Sequence, residues 1–310
     1  MKNKVLISSV LCWVLGCGAG AYSASQPHRS PPLSLDPAIA VEAAALIGPM
    51  TAAQPVLITN AILLTAENDQ PQIEGWIRLA QGRIAAMGEG LAPAATSGER
   101  VINVEGRYVT PGLIDTHSHM GVYAKPGVWA HSDGNEASKP ITAGVRAEDS
   151  FWPQDPSIER AVRGGVTTIQ VLPGSANLMG GRGVILKLHP RRESHAMRFP
   201  GAKDSLKMAC GENPKRVYKN DEDGPQTRMG NLAYMRKTFQ NAKDYQKKRS
   251  SNTPPLTNLN YETLLEVMNG EIRVHIHCYR HDDIEGIYRV MDEFDIQVTS
   301  FQHALEAYKV

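Results

Sequence analysis

The sequence predicts an α/β barrel of alternating strands and helices behind a β-rich leader, and three observations carry that expectation. A β-like run from Val109 ends in Thr116-His117-Ser118-His119. Two later runs, Ile272 to His277 and Ile296 to His303, are rich in β-branched residues and also end in histidine. Between them, strand-like and helix-like stretches alternate.

Side chains alternate faces along a strand, so His117 and His119 point the same way. Two neutral imidazoles converging from one segment are half of a tetrahedral zinc site. In a barrel every strand delivers its carboxyl end to one face, which lets His277 and His303 meet that pair despite their distance in sequence. Any one of these histidines alone is what a hydrogen-bonded core residue looks like; their recurrence at strand ends favours ligation. A barrel that works without metal, such as a lyase, leaves this placement unexplained.

Taken in chain order, residues 1–23 read as an export signal. Lys2 and Lys4 precede the apolar Val5 to Leu15, a core too short to span a bilayer. Processing near Ala21-Tyr22-Ser23 competes with lipid attachment at Cys17, which would make the mature chain a secreted, periplasmic or lipid-anchored protein. Residues 24–54 are a Ser-, Pro- and Ala-rich tether. Residues 55–109 hold short strands at Val56-Leu57-Ile58, Trp76 to Leu79 and Arg83 to Met87, with Gln81-Gly82 turning between the last two.

From 110 to 310 the barrel units follow. Asp155-Pro156-Ser157 caps a helix that runs to Arg163, and Val166 to Leu172 is a strand. Strands follow at Val184 to Leu188 and Ser205 to Cys210. A polar helix from Leu232 to Lys248 precedes the His277 strand, and Asp282 to Phe294 precedes the His303 strand. That makes six barrel strands.

The 33 basic and 32 acidic residues of this 310-residue chain nearly cancel, with no long single-sign block. Charge therefore names no nucleic acid as partner. Of four cysteines, Cys210 and Cys278 end strands and are expected as reduced core thiols.

The run Pro111-Gly112-Leu113-Ile114-Asp115-Thr116-His117-Ser118-His119-Met120-Gly121, with the later strand-end histidines, resembles the amidohydrolase superfamily, in particular its imidazolonepropionase-like and peptidase-like metal-dependent hydrolases. The resemblance covers roughly residues 55 to 310. It implies a TIM-type (β/α)8 barrel and a small β-sandwich built from both ends of the chain. It also implies one or two divalent metals, zinc or a similar ion, that activate water against an amide-type C–N bond in a peptide, a cyclic amide or an acylated amino acid. In the family the eighth strand supplies a catalytic aspartate, which is expected beyond Val310. The chain thus reads as an incomplete, N-terminal part of such a barrel, and a catalytically inactive fragment keeping only part of the metal site is the competing reading.

The resemblance assigns the metal to His117, His119, His277 and His303, with His303 also a possible contact to substrate. Spacing alone leaves His275 and His277 equivalent; the context Ile276-His277-Cys278-Tyr279-Arg280 favours His277, with His275 deeper in the barrel. Lys207 and Lys187 lie on strand faces that would point inward, where a lysine must be paired or modified. Lys207, before Met208-Ala209-Cys210-Gly211, resembles the carboxylated lysine that bridges two metals; a rim lysine reaching solvent is the equal alternative. The glycine-rich Gly174 to Gly183 lacks a Walker lysine and reads as a substrate-shaping loop carrying Arg182. Trp129 and His131 are further candidate pocket residues for a small-molecule or peptide substrate.

Overall fold

The computed structural model describes residues 54–67, 72–189, 191–222 and 224–310. The expected signal, the Cys17 anchor site and all but the last residue of the tether lie outside the described residues. The chain divides into two compact units between Val109 and Thr110.

The first unit is one five-stranded sheet. β1 (Val56–Leu64), β2 (Gln72–Ala80) and β3 (Arg83–Glu89) form an antiparallel meander. Gln81 and Gly82 both take positive φ, 52° and 71°, as a tight hairpin turn between twisted strands requires. β4 (Arg100–Asn103) and β5 (Tyr108–Val109) lie parallel to β1 along its other edge. Ala61, Leu63, Ile73 and Ile77 bury one face. The described residues of this unit form a single sheet, where the family resemblance implied a sandwich.

The second unit is a six-stranded sheet in sequence order: β6 (Leu113–Ser118), β7 (Val166–Val171), β8 (Met179–Lys187), β9 (Ser205–Ala209), β10 (Arg273–Cys278) and β11 (Ser300–His303). β6 and β7 are parallel, as are β9, β10 and β11. β8 runs antiparallel to both its neighbours, against the all-parallel expectation. The reason is connection length: only residues 172–178 separate β7 from β8, and a parallel crossover needs a dozen or more.

The other crossovers carry helices. α1 (Ala147–Ser150) and α2 (Pro156–Arg163) follow β6. α3 (Glu212–Tyr218), α4 (Arg228–Arg249) and α5 (Leu259–Met268) join β9 to β10, and α6 (His281–Glu293) joins β10 to β11. Asp155 caps α2 as its sequence suggests, accepting from Ser157 N at 2.8 Å.

Strand alternation sorts each strand between two environments. Leu206, Met208, Val274 and Ile276 pack outward against Met235, Phe239, Leu264, Ile284 and Ile287 of the helices. Burying one such side chain is worth about 1.5–3 kcal/mol. Ser205, Lys207, His275 and His277 occupy the opposite, inner positions and are all buried.

Two expectations change here. Cys210 and Cys278 form a disulfide rather than resting as free thiols. Each is one residue past the paired positions Ala209 and His277, so the two lie side by side on parallel strands, on the helix-packed face, with Cα atoms 5.3 Å apart. The glycine-rich segment is also only half a loop, because Met179 to Gly183 belong to β8. A Cβ at Gly181 (φ 126°) would stand 2.6 Å from Val145 Cγ2, so glycine there permits close packing rather than loop freedom.

Candidate metal centre

β6 and β11 are opposite edges of the second sheet, yet the His117 and His303 rings lie 5.1 Å apart. The sheet therefore curls until its edges face one another. His119 is 5.0 Å from His117, and His277 is 4.8 Å from His303. Four imidazoles predicted from sequence are thus brought together at the strand ends. Lys207 joins them from β9, its side chain fully buried, with Nζ 3.5 Å from His117 Nε2 and donating to Gln302 Oε1.

His303 reaches the cluster against the alternation of its strand. Ser300 and Gln302 occupy the inner positions of β11, which turns the next residue outward. At His303 the backbone leaves the extended region for φ 64°, and the ring comes round to His117 and His277. A left-handed non-glycine residue costs on the order of 1 kcal/mol, and such positions concentrate at functional sites.

His275 has a different role from His277. Its Nδ1 is 2.7 Å from Ser300 Oγ and its Nε2 accepts from Gln170 Nε2 at 2.9 Å, so both ring nitrogens are engaged. Gln170 also donates to Ser205 Oγ, which makes a polar layer beneath Lys207. His277 Nε2 meets Asn213 Nδ2 at 3.1 Å, while its Nδ1 is buried with no hydrogen-bond partner.

Electrostatics keep the imidazoles neutral. Burial first, then the Lys207 charge, takes His117 down to about 4. Burial and then His303 take His277 to about 3. His119 and His303 are also lowered, again chiefly by burial. Neutral imidazole is the form that ligates metal. His119 Nδ1 donates to Leu172 O at 2.8 Å, which leaves Nε2 as a lone pair oriented by an outer hydrogen bond.

The donor chemistry suits a divalent ion, and the unpartnered Nδ1 of His277 is a ligand atom without another occupation. As they stand, the rings pack mostly edge to face. Among the described residues no three histidine, cysteine, aspartate or glutamate side chains are drawn together as a ready metal set.

Several expected site residues have other employment. Arg182 is buried between Thr263, Glu266 and Asp204, tying β8 to α5 instead of reaching a substrate. Lys187 is exposed, 5.4 Å from the Phe199 ring, and does not enter the interior. Trp129 is 92% exposed, and His131 packs on Trp152 while bonding Pro126 O. No ring contact joins either to the imidazole cluster. A cavity of about 510 Å³ lies among Asp133, Asn135, Arg146, Asp149 and Pro173, lined by none of the clustered imidazoles.

Sequence reasoning missed Gln302 and Tyr279, whose ring is 4.4 Å from His277 and 5.8 Å from His303. Alternation counted from His303 turns Gln302 outward, so its inner position emerges only from the pairing of β11 with β10. Tyr279 carried no comparable signal.

No family model matches the chain. Amidohydrolase tasK of Hapsidospora irregularis is 31% identical over 293 residues, covering 83% of this chain and 30% of that protein. An imidazolonepropionase of Klebsiella pneumoniae is 34% identical over 140 residues, or 38% of this chain and 33% of that one. The crystal structure of an amidohydrolase from Thermotoga maritima superposes with a TM-score of 0.73 and 34% identity, covering 82% of this chain and 66% of that one. The chain thus spans under a third of the tasK protein and about two thirds of the Thermotoga one. A curled sheet that is shared in three dimensions with one amidohydrolase, and matched in sequence along most of this chain with another, makes the chain a member of the amidohydrolase superfamily.

Proposed function

We propose that this chain carries the metal-binding part of a hydrolase acting on amide-type C–N bonds, with a peptide, a cyclic amide or an acylated amino acid as substrate. The observation that carries the reading is the gathering of His117, His119, His277 and His303 around buried Lys207 from both edges of one sheet.

These four imidazoles would hold one or two divalent ions, zinc or a similar metal, and a carboxylated Lys207 would bridge two. The ion supplies Lewis acidity that polarises a carbonyl oxygen and makes water a better nucleophile near neutral pH. The chain's own residues do the rest. The Leu172 carbonyl fixes the His119 tautomer, the layer of Gln170, Ser205, His275 and Ser300 supports the site from below, and exposed His303 with Tyr279 faces an incoming substrate. The charged start and short apolar core of residues 1–15 support export, so that the substrate is met outside the cytoplasm.

Metal analysis of the purified chain after zinc or manganese loading, alongside His117→Ala/His119→Ala, tests the reading. Bound metal in the parent and its loss in the variant is the expected result. Equal metal in both would remove the site. Hydrolysis of a panel of dipeptides, N-acyl amino acids and cyclic amides by the loaded chain then separates an active hydrolase from an inactive metal-binding chain.

A further inference from the structure

Lys207 stands on β9 and Gln302 on β11, with β10 between them, and their side chains meet across that strand. Register sets this up: Lys207 pairs with His275 on one side of β10, and Gln302 pairs with His277 on the other. Both side chains are buried, and the polar groups below are already committed, His275 to Gln170 and Ser300 and Gln170 also to Ser205. Lys207 therefore has an amide and, at 3.5 Å, an imidazole as its neighbours.

We propose that Gln302 is a positioning residue for modification of Lys207 by carbon dioxide: its carbonyl oxygen holds the free amine, and after the amide turns over its NH2 holds the carbamate. The inference rests on the reading of Lys207 as a bridging, carboxylated lysine. In the step itself the Nζ lone pair forms a bond to the carbon of CO2, and one C=O π pair moves onto oxygen. The nitrogen proton leaves to water or bicarbonate, giving a carbamate monoanion.

A primary amide serves both states without moving its backbone. It offers an acceptor to N–H and, rotated by half a turn, a donor to an anionic oxygen. A carboxylate at 302 would repel the carbamate at close range, and an apolar side chain would offer neither contact. The arrangement also explains why a buried strand-end position next to His303 carries glutamine.

The test uses the full chain equilibrated with 13C-bicarbonate and zinc, with the carbamate carbon observed by 13C NMR and assigned by its loss in Lys207→Ala. The parent should show the resonance. Gln302→Met and Gln302→Glu should each lower it at least tenfold while near-UV circular dichroism stays that of the parent, and two variants of opposite chemistry guard against one failing to fold. A parent resonance left intact in both folded variants would overturn the role of Gln302 alone. A parent without the resonance would overturn the bridging lysine, and Gln302's role with it.

Discussion

His117 and His303 sit on the two outermost strands of a six-stranded sheet, with their rings 5.1 Å apart. Curling brings the edges together, but the last part of the approach belongs to one residue. With extended backbone at 303 the ring would follow Cys278, its register partner, toward the helices; at φ 64° it joins the metal-ligand candidates.

Lys207 makes the metal-free protein sensitive to alkali in an unusual direction. Burial takes its pKa from 10.5 down to about 7. Below pH 7 both folded and unfolded chains hold the proton, and the folded state bears the full penalty of a buried charge. Between pH 7 and 10.5 the unfolded chain binds more protons, so stability rises with pH. Lys207→Met should abolish that rise and stabilise the protein at pH 7 by on the order of a few kcal/mol, read as a raised urea midpoint. Parallel stability profiles for the two metal-free proteins between pH 7 and 9.5 would contradict this.

Asp155 is 2% exposed and accepts three backbone N–H groups, from Ser157, Lys125 and Gly121. Burial opposes its charge, but the N–H groups prevail and hold its pKa below 3.8. Its contribution is thus present above that value and lost as pH falls through the lower, folded one. Asp155→Ala should cost about 3 kcal/mol, from a lost cap and stranded N–H groups, read by urea unfolding at pH 7. A change under about 1 kcal/mol would show that water replaces the carboxylate.

Gly181→Ala places a methyl 2.6 Å from Val145 Cγ2 and 2.8 Å from its carbonyl oxygen, at a φ of 126°. Strain and overlap together should cost about 3 kcal/mol or more. Gly82, with open space around its missing Cβ, is the control. Gly82→Ala should cost clearly less, and equal losses at the two positions would show that backbone conformation alone matters.

The Cys210–Cys278 link closes a segment with a sequence separation of 68. In the chain-entropy picture such a link stabilises by about 4 kcal/mol. Dithiothreitol should lower the unfolding midpoint of the parent and leave Cys210→Ala/Cys278→Ala untouched. If the double variant and the oxidised parent unfold alike, the bond contributes nothing.

Much of the inner face was legible because a period of two needs only local sequence: Lys207 and His277 fall on the buried, inward positions that alternation assigns. The Asp155 cap and the Gln81-Gly82 hairpin were equally local. What escaped depended on neighbours. The direction of β8 follows from the length of the connection before it, while its glycines resemble a loop. The disulfide follows from the register of β9 and β10, and the roles of Gln302 and Asn213 from partners 95 and 64 residues away. Arg182 misled for the same reason, since Thr263 and Glu266 are its partners only after folding.

The reversed β8 also decides which parts of the chain lie away from the site. Its amino end joins the site face through residues 172–178, and its carboxyl end delivers residues 188–204 to the opposite end of the sheet. A lengthened 188–204 segment would lie out of earshot of the substrate. That makes the exposed Arg192 and Glu193 within it the natural place to graft an affinity tag or a fluorophore, whereas one residue added between Leu172 and Leu178 would push directly on the carbonyl that orients His119.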